Sequence, residues 1–362
     1  MNHGITDMSE QMYPMRFKRW VQIQNLRNTT VSITMASHDL KLSAGARAVI
    51  NQWIRVKEGM TICIVTSAVH KEECEYLEKE AELAGGIPTI LMVEQEGIHV
   101  GAYFDANPDI FLPYDVIIGA SDYSIITTKA AERALSTGKK VLSLPLSTST
   151  SRSMLSYDFM FMDPVEARIT AETAIGMIGK AETVHITTRS GTSLTISIKD
   201  RPVSYFNGNF WPRHPFSSAS FEIYCPIVEN SMEGTLICDG SFGYIGKVKE
   251  PVRIEWKNGR IVSIDDSEEG KRLKAYFETY KDPEMYVAGE LGIGLNELSR
   301  CVGECYIEDE STYGTFHIGV GRNIGLGGIH KASGHFDLVT WHPTIWFDQK
   351  LIMKDGSFVM PD

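Results

Sequence analysis

The last hundred residues of this 362-residue sequence concentrate imidazole and carboxylate side chains among glycines. The densest stretch runs Gly314-Thr315-Phe316-His317-Ile318-Gly319-Val320-Gly321-Arg322-Asn323, then Gly327-Gly328, then Gly334-His335-Phe336-Asp337. Along a β-strand, side chains two apart point to the same side, so His335 and Asp337 can reach one metal ion together. An imidazole and a carboxylate at that spacing form two sides of a common catalytic metal site. His317 lies in a second expected strand that ends in glycines, where backbone and ligand approach closely.

Two acids stand out upstream. Glu290 interrupts the apolar run Ala288-Gly289-Glu290-Leu291-Gly292-Ile293-Gly294, and Glu222 sits in Phe221-Glu222-Ile223-Tyr224-Cys225-Pro226. A lone buried carboxylate costs several kcal/mol unless it is paired or metal-bound. On an edge strand the same acid would simply face solvent, and spacing leaves both readings open. His214, His330 and His342 sit in loop-like surroundings and read as solvated.

Three carboxylates and two imidazoles supply enough hard ligands for two divalent ions. Such ions activate water and polarise a carbonyl. Glu222 or Glu290 would then serve as general base. Arg322 and Lys331 are candidates to hold a substrate carboxylate, and Asn323 to orient a carbonyl.

Other chemistry is absent or disfavoured. Neither a G-x-x-x-x-G-K-[ST] loop nor a G-x-G-x-x-G after a strand occurs. A formal net charge of −11 disfavours a nucleic-acid partner and an anionic membrane surface. The six cysteines include no C-x-x-C pair, which suits a reducing compartment. Residues 1–13 lack the apolar core of a signal peptide, and no apolar run approaches the ~20 residues of a membrane span. The expected location is the cytoplasm. The hydroxyl-rich run Ser147 to Ser153, with Arg152 inside it, reads as a solvated loop, with anion binding or the wall of a cleft as the alternatives.

The elements that must position these groups fall into two textures. Short β-branched strands at Thr61–Thr66, Pro88–Val93 (an apolar run that reads as buried), Asp115–Gly119 and Lys140–Leu146 alternate with helices near 44–56, 71–84 and 123–136. That alternation indicates an α/β domain with a mostly parallel sheet, over 1–183. A helix near 164–181 closes it. Beyond, over 184–362, strands dominate in a β-rich α+β domain that carries the metal ligands. They include a hairpin around Arg189-Ser190-Gly191-Thr192, a helix near 268–280 and a last hairpin with an Asp-Gly turn.

At these residues the chain resembles the aminopeptidase T group, the M29 metallopeptidases, together with the related 2,5-dihydroxypyridine 5,6-dioxygenases. The peptidase branch has an acid shortly before a proline and an x-G-T strand, matched here by Glu222, Pro226 and Gly234-Thr235. A second acid in a glycine-rich segment before Leu-Asn is matched by Glu290 with Leu295-Asn296. Gly314-Thr315-Phe316-His317-Ile318 and His335/Asp337 complete the motif. The resemblance implies that all five residues ligate metal (zinc, cobalt or manganese, one or two ions), in a homodimer. A further peptidase ligand, a tyrosine, falls on Ile324. The dioxygenase branch is matched by Ser231-Met232-Glu233-Gly234-Thr235-Leu236, the Tyr280–Tyr286 pattern, Asn323, Gly327-Gly328 and Lys331. That branch holds one Fe(II), and its first histidine falls on Glu290. Ligand identity therefore favours a hydrolase acting on a small amide or peptide, with a ring-cleaving iron dioxygenase as the alternative.

Overall fold

The strand β1 (Thr61–Thr66) is buried along nearly its whole length because it is the second strand of a five-stranded parallel sheet. The computed structural model describes residues 36–93, 101–126, 128–211 and 214–360. The reading of residues 1–13 lies outside them. Residues Lys41–Asp362 form one compact unit.

β1 pairs with β2 (Ile87–Met92) and β3 (Val116–Gly119), and β3 with β4 (Lys140–Ser143). Helices Lys71–Leu83 and Lys129–Ser136 fill the crossovers, as the alternating pattern requires. The sheet has one further member. β8 (Phe216–Ser218) pairs parallel with β4, so a strand from beyond residue 183 extends the first sheet. Strand pairing turns antiparallel from Thr183 onward, and at Phe216–Ser218 the chain returns to the parallel sheet.

Two expectations need correcting. β2 alternates between exposed and half-buried because it is the edge strand, whereas an apolar run suggested burial. The helix expected over 123–136 begins only at Lys129, where the Thr128 hydroxyl accepts from the Ala131 amide.

The rest is antiparallel. An eight-stranded sheet comprises β5 (Thr183–Thr187), β6 (Ser193–Ser197), β10 (Glu233–Cys238), β13 (Val252–Lys257), β14 (Arg260–Ile264), β18 (Thr344–Phe347), β19 (Lys350–Lys354) and β20 (Ser357–Phe358). A seven-stranded sheet has the order β12-β11-β17-β16-β15-β9-β7. Its members are β7 (Ser204–Phe206), β9 (Glu222–Pro226), β11 (Ser241–Phe242), β12 (Gly246–Lys247), β15 (Ala288–Gly294), β16 (Thr315–Gly321) and β17 (His335–Trp341). β9, β15 and β16 are buried at every residue, which explains their near-continuous apolar sequences. The expected helix Glu268–Tyr280 is present, capped by the Ser267 hydroxyl.

Candidate metal centre

Four neighbouring strands bring the five ligand-type residues together. Glu222 comes from β9, Glu290 from β15, His317 from β16, and His335 with Asp337 from β17. The register sets the arrangement. Gly292 is opposite His317, Gly294 opposite Glu222, Gly319 opposite Glu290 and Asp337, and Gly321 opposite His335. Each ligand therefore has a glycine as a cross-strand neighbour, which leaves room for its side chain to lean across the sheet. A Cβ on Gly319 would lie 2.7 Å from His335 Nε2.

His317 Nε2 is 3.0 Å from Glu222 Oε2 and 3.9 Å from Asp337 Oδ1. His335 Nε2 is 3.0 Å from Glu290 Oε2 and 3.2 Å from Asp337 Oδ1. Yet Glu222 Oε2 and both Asp337 oxygens are buried without a hydrogen-bond partner. Buried polar atoms are normally satisfied. Lone pairs that converge at this range while making no hydrogen bonds fit a bound cation. Ligand atoms of Glu222, Glu290 and His317 lie within 4.8 Å of one another, as do those of Glu290, His335 and Asp337. Glu290 belongs to both groups, so the donor set fits one or two ions.

Neighbouring groups orient the ligands. The Ser220 hydroxyl donates to Glu222 Oε1 at 2.7 Å. His335 Nδ1 lies 2.9 Å from the Arg322 carbonyl, which fixes Nδ1 as donor and presents Nε2 to a metal. Electrostatics are those of a crowded anionic site. Burial lowers the His317 pKa, but Glu222, Asp337 and Glu290 outweigh it and raise the pKa to about 9. His335 is likewise held well above its ordinary value, against burial, by Asp337 and Glu290. Burial raises Glu290, helped by the Glu222 charge and opposed by His335. A cation at this point would take over the charge neutralisation that protons otherwise supply.

The centre opens into a cleft of about 180 Å³. Its walls carry Tyr123, Tyr244, Tyr280 and Tyr306, with Phe206, Pro145, Ile307 and Leu326 between them. The parallel sheet contributes Ser124 and Ser143, whose hydroxyls are 2.8 Å apart. This is the carboxyl end of β3 and β4, the usual ligand side of such a sheet.

Of the three expected substrate contacts, only Arg322 lines the cleft. Asn323 is buried, with Nδ2 donating to Glu229 Oε1 and the Gly289 carbonyl, each at 3.1 Å, and Oδ1 accepting from the His330 amide. It braces the backbone beside Glu290. Lys331 is exposed and outside the cleft. The Ser147–Ser153 run is a docked loop, where the Ser149 amide donates to the Glu304 carbonyl and Arg152 stacks on Tyr157.

One acid in the cleft escaped the sequence reading. Glu310, on the short helix Tyr306–Ser311, is buried beside the centre, and its carboxyl is pushed well above the usual range by burial and by Glu222 and Asp337. The available signal was three successive acids, Glu308-Asp309-Glu310, directly before the His317 strand. Ile324 lies in a turn and does not line the cleft, whose phenols come from other elements.

The profile of a known family, 2,5-dihydroxypyridine 5,6-dioxygenase, matches residues 115–360. The chain belongs to that family. A curated relative, 2,5-dihydroxypyridine 5,6-dioxygenase of Pseudomonas putida, is 27% identical over 146 residues. That alignment spans 37% of this chain and only 41% of the relative's length. The solved 2,5-dihydroxypyridine dioxygenase of Pseudomonas putida superposes with a TM-score of 0.73 at 17% identity, over 89% of this chain and 97% of that one. AmpT from Thermus thermophilus superposes with a TM-score of 0.58 at 12% identity, over 89% of this chain and all of that one. At these identities the two structures establish the shared fold. The expected superfamily is thus shown, and within it the matches favour the dioxygenase branch over the hydrolase that ligand identity favoured. Among the described residues no helix is long and apolar enough to cross a membrane.

Proposed function

We propose that this chain is a non-haem Fe(II) dioxygenase that opens a hydroxylated N-heterocyclic ring. One observation carries the reading. In a member of a family named for that reaction, Glu290, His335 and Asp337 converge at a cleft lined by phenol hydroxyls. A three-ligand face leaves open positions, which suits an iron that binds substrate and O2. The set has one histidine and two carboxylates, and His317, 3.9 Å from Asp337, supplies a second imidazole. Iron held there would supply the redox chemistry that joins oxygen to the ring.

The chain's own residues do the rest. Burial raises the pKa of Tyr123, Tyr244, Tyr280 and Tyr306, so each is a neutral hydroxyl able to donate to ring oxygens. Phe206, Pro145, Ile307 and Leu326 give a planar ring apolar surface and exclude water.

A second reading is a two-metal hydrolase, favoured by the separate cluster of Glu222, Glu290 and His317. The deciding experiment is anaerobic reconstitution with Fe(II), then addition of 2,5-dihydroxypyridine and measurement of oxygen uptake. Stoichiometric uptake is expected. No uptake by the iron form, with peptide-anilide hydrolysis by the zinc, cobalt or manganese form, would replace the first reading with the second.

A further inference from the structure

Five arginines among the described residues are half-buried, and four of them are paired. Arg152 bonds the Ser156 carbonyl at 2.6 Å, Arg201 pairs with Glu229, Arg260 with Glu284, and Arg272 with Glu269 at 2.8 Å. Arg322 is the exception. Its Nε is buried and makes no hydrogen bond, and no carboxylate among the described residues forms an ion pair with it. Leaving a buried charged donor unmatched is costly, so such a group is conspicuous.

Its position is fixed by the same backbone that holds the centre. The Arg322 amide donates to the Gly334 carbonyl at 2.8 Å, and its carbonyl faces His335 Nδ1 at 2.9 Å. The guanidinium is therefore anchored one residue beyond the pairing of Gly321 with His335, on the cleft wall. Apart from the imidazoles, it is the one cationic side chain among the described lining residues. Glu222, Glu290, Glu310 and Asp337 make that lining strongly anionic. An anionic substituent would be repelled there unless a fixed cation received it.

We propose that Arg322 is that receiver, so that the cleft selects a planar N-heterocycle bearing a carboxylate over a neutral one of the same shape. This rests on the ring-binding reading above for the heterocycle, while the charge preference stands on Arg322 alone. The guanidinium presents paired donors matched to two carboxylate oxygens, which a neutral amide cannot reproduce.

The test compares pyridine-3-carboxylate with pyridine-3-carboxamide, which share size and ring. Dissociation constants are measured by calorimetry on the metal-loaded protein without oxygen, so no turnover enters. The wild type should bind the carboxylate about tenfold or more tightly. Arg322→Gln should abolish the preference, and Arg322→Lys, which keeps the charge, should retain part of it. Melting curves and metal content establish that each variant is folded and loaded. No saturable carboxylate binding to the wild type overturns the proposal, as does equal binding of the two probes. A preference that survives Arg322→Gln also overturns it, since the carboxylate would then be binding the metal. Oxygen uptake is scored separately, so a failed dioxygenase reading with an intact charge preference remains distinguishable.

Discussion

His317 lies directly across the strand pairing from Gly292, and a Cβ built on that glycine would fall 2.0 Å from His317 Nε2 and 2.8 Å from Glu222 Oε2. The missing side chain is what allows an imidazole and a carboxylate from the two flanking strands to meet over β15. A strand glycine is otherwise weakening, so its presence here has a positional reason.

Gly292→Ala should therefore damage the centre more than the fold. The added methyl has nowhere to go in a strand buried at every residue. Metal affinity should fall at least tenfold, with an overpacking cost of roughly 1–3 kcal/mol in stability. Gly176→Ala is the control, because a Cβ there meets nothing within 4 Å and the site is helical. It should leave metal content unchanged and be neutral to mildly stabilising. Equal metal content in both variants would show that Gly292 is not needed to form the centre.

Ligand substitutions separate the two chemistries. Asp337→Ala and His335→Ala should abolish tight metal binding under either reading, since both belong to the triad with Glu290. Glu222→Ala divides them. A one-iron enzyme should keep its iron and lose only modest activity. A two-metal enzyme should lose about one equivalent and orders of magnitude in rate, because a Lewis acid supplies several kcal/mol to the transition state. Metal analysis beside turnover reads out both.

Much of this centre was legible because strand chemistry is local. The period-two spacing of His335 and Asp337, and acids set in the apolar runs of Glu222 and Glu290, point to the residues that converge. What stayed hidden depends on long-range pairing. Nothing near Phe216 announces that β8 joins β4 across the domain change. Helix Tyr306–Ser311 is only six residues long, too short for a periodic signal, so Glu310 and Tyr306 were missed. Asn323 looked like a substrate contact because it sits among glycines, but its partners lie 34 and 94 residues away in sequence. The choice of chemistry was also hidden, since ligand types alone suggested hydrolysis while the family match over 115–360 favours the dioxygenases.

The acids beside Glu310 should leave a signature in stability. Burial raises Glu308 to about 7 and Asp309 to about 6, with the Arg300 charge opposing the first and the Gly303 amide the second. Both have an oxygen buried without a partner, Glu308 Oε2 and Asp309 Oδ2. A carboxyl whose folded pKa lies above its unfolded value takes up protons on folding. Its stabilising contribution is full below about pH 4 and is lost as pH rises to about 7. Glu308→Gln should therefore gain stability relative to wild type between pH 5 and 8, by up to roughly 3 kcal/mol. Urea unfolding at several pH values measures the difference. A pH-independent difference would mean that Glu308 is already ionised in the fold.

Asn323 offers the sharpest check on the reassignment from substrate contact to brace. Its amide ties Gly289, the residue before Glu290, to Glu229 and to the His330 backbone. The packing is tight enough that a Cβ on Gly328 would fall 2.2 Å from the Asn323 side chain. Asn323→Ala removes three hydrogen bonds and leaves the His330 amide without its acceptor, while the Gly289 carbonyl and Glu229 Oε1 keep the Ile227 and Ile329 amides. Stability should fall by about 1–3 kcal/mol. Because Glu290 is the next residue along β15, metal affinity and kcat should fall with it. KM should change little, since the side chain does not line the cleft. A substrate contact predicts the opposite pattern, with KM rising, stability intact and metal content unchanged. Measuring unfolding, metal content and the split between kcat and KM on this single variant decides between the two roles.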